Sequence, residues 1–147
     1  MKLGEGVTFK HFIKNCDEKL RCDVQNEIFY DENRVPLNAE DIFDEENQDY
    51  YVDDFSVFLY VSNECAGYGQ IILSDNLYTI VNFGILKKYR CCGYGYTLLN
   101  YLIKLCSINN IDNVYIRVEK DNHSAISLYN KAGFKEHISY DTWFKCI

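Results

Sequence analysis

The spacing of apolar residues changes several times along this 147-residue chain, and each change marks an element. Val7 to Ile13 reads as a first strand, and Asp17 to about Tyr30 as a helix with Leu20, Val24 and Ile28 four apart. The stretch from Asp31 to Asp54 holds the only proline, Pro36, and predicts a short second helix near Ala39–Glu46. Phe55–Val61, Gly67–Leu73 and Tyr78–Ile85 read as three strands. Their separators, SNECA and SDN, have the turn chemistry of antiparallel hairpins.

The second half continues in the same alternation. After Gly95 a helix carries Leu98, Leu102 and Leu105 on one stripe, with Leu99, Ile103 and Cys106 beside it; Asn109 and Asn110 end it. Asn113–Val118 is a strand with Val114, Ile116 and Val118 on one face and Tyr115 and Arg117 on the other. Ser124–Ala132 is a short helix, and Gly133 is placed to close it as the residue after its end. Phe134–Tyr140 and Thr142–Cys146 then form a last strand pair. With no internal repeat or linker, the pattern predicts one α/β domain over residues 1–147, an α+β mixed sheet with helices.

Composition removes several classes. A 48% apolar and 16% aromatic content argues against disorder despite a net charge of −7. No apolar run approaches the roughly 18 residues of a membrane span, and MKLGEGVTFKHF has no apolar core of a signal peptide. Seven cysteines, an odd number without a CxxC pair, read as reduced thiols, most of them acting as small hydrophobes, in a cytoplasmic chain. His11, His123 and His137 show no metal-ligand spacing, so no metal is expected. Residues 1–74 carry a net −10 and residues 75–147 a net +3, so phosphate-rich nucleic acid is a poor partner. Eight carboxylates lie between Glu40 and Asp54. They form either a solvated acidic face or a rim that attracts a cationic partner.

The chemistry concentrates in NFGILKKYRCCGYGYTLLNYLIKLC, Asn82 to Cys106. A strand runs into a glycine-punctuated turn that opens a helix, whose first N–H groups have no intrahelical partner and can seat a phosphate. Gly93 and Gly95 permit close approach, while Lys87, Lys88 and Arg90 add positive charge. A Walker A loop is excluded because no Lys-Ser or Lys-Thr follows either glycine. A dinucleotide fingerprint is excluded because Leu98 stands where a third small residue belongs.

Arg90-Cys-Cys-Gly93-Tyr-Gly95 does fit R/Q-x-x-G-x-G/A. It is followed by Asn122-His-Ser-Ala125-Ile-Ser-Leu128-Tyr129-Asn-Lys131-Ala-Gly133-Phe134, which fits N-x-x-A-x-x-L-Y-x-K-x-G-F. In these two motifs, over roughly residues 78–136, the chain resembles the GNAT superfamily of acyl-CoA-dependent N-acyltransferases. Its second motif is most similar to that of ribosomal-protein-alanine N-acetyltransferases. The resemblance implies a central, mostly antiparallel sheet with one parallel, splayed strand pair and about four helices. It also implies acetyl-CoA as cosubstrate, held by main-chain groups at Phe83, Gly84 and Ile85 and at the turn of Arg90, Cys91, Cys92, Gly93, Tyr94, Gly95 and Tyr96, with Asn122 against the CoA chain. Tyr129 matches the tyrosine that protonates the departing thiolate.

The residues themselves leave plainer roles open. The glycines can serve a tight turn alone, Tyr129 can be a buried aromatic, Asn122 can be a helix N-cap, and Cys92 can be a nucleophile at a helix start. The glutamate that related enzymes place on the fourth strand would fall near Thr79, and the one on the fifth strand at Arg117. Neither can serve as a base, and Glu119 is the nearest substitute; Asp75, Tyr78, Tyr115 or a water chain are alternatives. The acceptor expected is a primary amine of a small molecule or peptide, with the acidic balance leaning towards a cationic one. Its cleft is expected between Glu27–Asp54, the Tyr115–Arg117 face and the turn around Tyr140–Thr142. The chain is expected to act as a monomer or homodimer. A non-catalytic CoA-binding or sensing module on the same fold is the alternative, and a phosphate-binding interaction protein a more distant one.

Overall fold

Seven strands in the order β1-β2-β3-β4-β5-β7-β6 form one sheet in the computed structural model, which describes residues 6–137 and 141–147. The strands are β1 (Val7–His11), β2 (Ser56–Val61), β3 (Glu64–Ser74), β4 (Leu77–Ile85), β5 (Asn113–Arg117), β6 (Lys135–Glu136) and β7 (Thr142–Cys146). The helices are α1 (Glu18–Ile28), α2 (Ala39–Glu46), α3 (Tyr94–Ile108) and α4 (His123–Lys131). Every pairing is antiparallel except β4 with β5. The expected mixed sheet, its single parallel pair and its four helices are all present.

Two-residue turns make the central hairpins. Ser62 and Asn63 (φ 49 and 70) join β2 to β3, and Asp75 and Asn76 (φ 52 and 63) join β3 to β4. Two consecutive left-handed residues match the right-handed twist of the strands they connect, and Asn and Asp tolerate that region. The turn is therefore shorter than the expected SNECA separator, because Glu64, Cys65 and Ala66 already lie within β3, the first two paired with Val61 and Tyr60. The last strand pair also differs from expectation. β6 is only two residues long among the described ones, and β7 inserts between it and β5. Residues 138–140, assigned to that pair from sequence, lie outside the described residues.

The two faces of the sheet are covered unequally. On one, α3, α4 and Phe134 just beyond α4 pack Leu98, Leu99, Leu102, Tyr129 and the Phe134 ring over Val57, Leu59, Ile80, Val114 and Ile116. On the other, α1 and α2 pack Val24, Ile28 and Ile42 over Phe58 and Tyr68. α2 starts at a reciprocal capping box, with the Asn38 side chain accepting from the Asp41 N–H and the Asp41 carboxylate from the Asn38 N–H. That box explains how so short and acidic a helix holds its N-terminus.

α1 buries more than its apolar stripe. Beside Val24 and Ile28 it buries Glu18, Arg21 and Gln25, with Arg21 fully enclosed. Arg21 Nε donates to Gln25 Oε1 at 2.6 Å, and its Nη2 donates to Glu45 Oε2 at 2.7 Å. Glu45 belongs to the acidic run, so part of that run is neither a solvated face nor a rim but the counter-charge of a buried guanidinium. Cysteine burial is likewise narrower than expected. Cys22 and Cys106 are buried and Cys65 partly so, whereas Cys16, Cys91, Cys92 and Cys146 are exposed; all seven are free thiols.

Candidate functional site

β4 and β5 hydrogen-bond only at Thr79–Tyr115 and Ile80–Ile116, and then part. A cavity of about 470 Å³ fills the opening, with Thr79 to Phe83 on one wall, Ile116 to Glu119 on the other, and Phe29, Arg34, Asn122 and Tyr129 around it. At this opening β4 bulges. Tyr68 pairs with Gly84 and Gln70 with Val81, so Asn82 and Phe83 together oppose Gly69 alone. Asn82 takes the left-handed conformation (φ 54), which asparagine tolerates, at this bulge. A Cβ at residue 69 would lie 2.8 Å from Leu102 Cδ1 and 3.2 Å from Phe83 Cδ2, so the glycine makes room for the Phe83 ring against α3. The bulge takes main-chain groups of Asn82 and Phe83 out of the ladder register at the cavity wall.

Side chains from three elements hold the bulge. Asn82 Nδ2 donates to Gln70 Oε1 at 3.2 Å, as does the Tyr68 hydroxyl at 3.1 Å. Gln70 Nε2 donates in turn to Glu45 Oε1 at 2.6 Å, and Arg21 closes the chain on the other carboxylate oxygen. Burial drives Tyr68 far above the usual phenol range, so it stays a donor. Glu18, the first residue of α1, and Glu46, the last of α2, shift each other's protonation. Burial and the neighbouring Glu18 push Glu46 up to about 7. Burial also raises Glu18, but hydrogen bonds from the Glu46 carboxyl and the Asn15 N–H outweigh it and hold Glu18 low.

Beyond β4 the chain makes a single 3₁₀ turn at Lys87–Tyr89, then passes through left-handed Cys91 (φ 63) and Gly93 (φ 85) into α3. Gly93 is the N-cap and offers no side-chain acceptor, so the first N–H groups of α3 are uncapped by any side chain. A second cavity, about 520 Å³, opens over this turn. It brings together Phe83, Gly84, Ile85, Arg90, Cys91, Gly95, Asn122 and Tyr129. A Cβ at Gly95 would meet only Leu128 at 3.5 Å and Ile85 at 3.8 Å, so protein packing does not demand a glycine here and the turn is open to a ligand. An uncapped helix start beside a cavity with both apolar and polar lining residues fits a phosphorylated, thiol-bearing cosubstrate.

The other expected turn residues stand apart from that cavity. Cys92 is exposed and its thiol donates to the Arg90 carbonyl at 3.4 Å, which places it for no nucleophilic role at either cavity. Tyr94 sets its ring edge-on to Tyr89, and Tyr96 lies under the Lys131 ammonium at 4.3 Å. The basic trio is largely committed elsewhere. Arg90 folds back, Nε donating to the Ile85 carbonyl at 2.8 Å and Nη2 to the Ile28 carbonyl at 3.2 Å. It thereby ties the turn to the ends of β4 and α1. Lys88 pairs with Glu64 at 2.9 Å.

Tyr129 borders both cavities. It projects from α4, is 7% exposed, and burial pushes its phenol up to about 12, so it is a proton donor throughout neutral pH. Asn122 also borders both, and it does cap α4, its Oδ1 accepting from the Ala125 N–H at 3.3 Å. The cap and a ligand contact are compatible, because Nδ2 donates to no described residue. Glu119 is exposed just past β5, on the wall of the first cavity. His11 is structural: its ring spans the Asp54 carbonyl and the Tyr101 hydroxyl, each at 2.7 Å.

A trough of about 400 Å³ continues from the first cavity across Thr79, Val81 and Arg117 to Tyr115, His137 and Thr142. Here the expected Tyr115–Arg117 face is realised, while Tyr140 lies outside the described residues. From Glu27–Asp54 only Ile28, Phe29 and Arg34 reach these three cavities, and none of the eight carboxylates from Glu40 to Asp54 lines any of them. Among the described residues no group of His, Cys, Asp or Glu is arranged to hold a metal ion. No described helix is long and apolar enough to cross a membrane.

Comparison with known proteins agrees with this geometry. The model of the Acetyltransferase (GNAT) family matches residues 22–134. N-alpha-acetyltransferase 50 from Danio rerio is 39% identical over 69 residues, 46% of this chain and 41% of that protein. The [Ribosomal protein bS18]-alanine N-acetyltransferase of Haemophilus influenzae is 34% identical over 77 residues, 51% of each. The matched stretch thus spans about half or less of these relatives. Among solved structures, Arabidopsis thaliana Naa50 in complex with the bisubstrate analogue CoA-Ac-MVNAL superposes with a TM-score of 0.72 at 21% identity, over 97% of this chain and 99% of that one.

Proposed function

Because the chain belongs to the Acetyltransferase (GNAT) family, we propose that it transfers an acetyl group from acetyl-CoA to a primary amine of a small molecule or peptide by direct attack. The observation that carries this reading is Tyr129, a buried neutral phenol bordering both the cavity over the α3 turn and the cavity at the β4 bulge. The α3 start and main-chain groups of Phe83, Gly84 and Ile85 would hold the cosubstrate. Main-chain donors at the bulge would face the thioester carbonyl, and Tyr129 would return a proton to the leaving thiolate. A thiol near 8.5 is more acidic than this phenol, so Tyr129 would act chiefly by hydrogen-bonding the departing sulfur, and the proton it gives up would be replaced from solvent.

The amine must attack in its neutral form. A lysine-like amine, with a pKa of about 10.4, resists that at pH 7 by about 4.6 kcal/mol. Glu119 is the carboxylate on the acceptor wall and our candidate base. The reading treats residues 1–147 as one acetyltransferase domain acting in the cytoplasm as a monomer or homodimer. A peptide acceptor draws support from the names of the relatives, an N-alpha-acetyltransferase and a ribosomal-protein acetyltransferase.

Arg117, standing where the alanine acetyltransferases place a glutamate, favours a second reading, a CoA-binding module without turnover. Isothermal titration with acetyl-CoA and thiol release across an amine panel separate the possibilities. Binding with release supports the transferase, binding without release supports the module, and absence of binding removes both.

A further inference from the structure

Charge at the acceptor wall is opposite to what the acidic composition suggests. The cavity between β4 and β5 is lined by two guanidinium side chains, Arg34 and Arg117, and one carboxylate, Glu119. Neither arginine has an ion-pair partner among the described residues. The Arg34 guanidinium lies 5.2 Å from the centroid of Phe29, a ring that itself lines both this cavity and the one over the α3 turn. That stacking holds the charge at the cavity wall. Arg117 closes β5 opposite Thr142 and lines both the cavity and the adjoining trough. None of the eight carboxylates from Glu40 to Asp54 lines this cavity or the adjoining trough, and two of them are paired elsewhere, Glu45 with Arg21 and Asp53 with Lys14 at 2.6 Å; the trough's one carboxylate among the described residues is Asp75.

Resting on the acetyltransferase reading, we infer that the acceptor is an amine carrying an oxyanion a few bonds from its nitrogen, with Arg117 and Arg34 as the residues that select it. A guanidinium fork matches a carboxylate in plane through two parallel N–H···O bonds, so the selection is geometric as well as electrostatic. Two cations beside the reacting nitrogen also disfavour its ammonium form and a second positive charge on the acceptor. The cavity and trough, of about 470 and 400 Å³ and sharing Thr79, Val81 and Arg117, have room for both the amine and its anionic neighbour. Carboxylate-bearing peptides and small amino acids share this chemistry.

The test is kcat/KM for matched acceptors at fixed acetyl-CoA. Tetrapeptides beginning Met-Glu, Met-Gln and Met-Lys form one arm; β-alanine with its amide, and phosphoethanolamine with ethanolamine, form the other. The anionic member of at least one set is expected to exceed its neutral partner by about tenfold or more, and the arm in which it does so identifies the source of the oxyanion. Arg117→Gln should bring that ratio close to one, Arg34→Gln should lower it, and Arg117→Lys should restore part of it. Acetyl-CoA titration of each variant controls for folding. Preference for the neutral or lysine-bearing acceptor, or a ratio that survives the Arg34→Gln/Arg117→Gln double variant, overturns the inference and leaves the transferase reading standing. Acetyl-CoA binding without turnover of any acceptor overturns both.

Discussion

Asn82 Nδ2 donates to Gln70 Oε1 across 3.2 Å, and through that bond the left-handed residue of the β4 bulge is tied to a buried side chain on the neighbouring strand. Gln70 is anchored in turn by Glu45, whose charge is balanced by Arg21. Gln70, Glu45 and Arg21 line neither cavity beside Tyr129, so they hold the bulge from behind. Gln70→Leu is expected to lower kcat by roughly tenfold to a hundredfold, a loss smaller than or comparable to removing one oxyanion donor, with little change in acetyl-CoA affinity. Stability should fall by about 1–3 kcal/mol, since Glu45 and Tyr68 lose a buried partner. Steady-state kinetics alongside calorimetric titration check this; an unchanged kcat in a folded variant shows that the bulge needs no anchor.

Tyr129→Phe should reduce kcat by about a hundredfold while leaving acetyl-CoA binding nearly intact. The raised phenol also sets the pH behaviour. With a folded value of about 12 against an unfolded value near 10, the group favours the fold fully below pH 10 and loses that contribution as pH rises towards 12. Any fall in wild-type kcat between pH 7 and 10 must then come from another group. A pH–rate profile of both proteins measures this, and an alkaline limb in that range that disappears in the phenylalanine variant would contradict it.

The two glycines of the turn should part company on substitution. Gly93 sits at φ 85, so Gly93→Ala is expected to cost about 1–2 kcal/mol. Gly95 lies in the first turn of α3, where a Cβ meets nothing closer than 3.5 Å, so Gly95→Ala should gain up to about 1 kcal/mol. Thermal melts without acetyl-CoA decide the matter. A destabilised Gly95→Ala protein would mean that the open turn is not as drawn.

Glu46 should weaken the fold above neutral pH. Its folded pKa, about 7, lies above the unfolded carboxylate value, so the proton it holds beside Glu18 supports the fold at low pH and is lost as pH rises through 7. Glu46→Gln supplies a permanent donor to Glu18. It is expected to raise Tm at pH 8, by a free energy of less than roughly 1 kcal/mol given solvent screening, and to leave it unchanged at pH 5. Melts at the two pH values test the sign. Equal shifts at both would show that Glu46 holds no such proton.

Local order was largely legible because it depends on neighbours in sequence. α2 was expected at Ala39–Glu46 and lies there, since its start is a four-residue capping box at Asn38 and Asp41. The strand-turn-helix around Arg90–Gly95 and the closure of α4 by left-handed Gly133 were equally readable. The Arg90 side chain was not. Its bonds to Ile28 and Ile85 join segments that no local pattern connects, one of them 62 residues away.

By itself the amino-acid sequence determined which segments are helix or strand, and that a glycine turn opening one helix precedes a second, tyrosine-bearing helix. Periodicity, capping and turn chemistry act over only a few residues, so they survive in a linear reading. Tertiary structure decided the rest: the bulge at Asn82, the burial of Arg21 against Glu45, the insertion of β7, and the meeting of Tyr129 with both cavities. It also decided the charge of the cavity between β4 and β5. Net charge is a sum over the whole chain, whereas a cavity presents only the side chains that folding turns towards it, and at the β4–β5 opening those include Arg34 and Arg117.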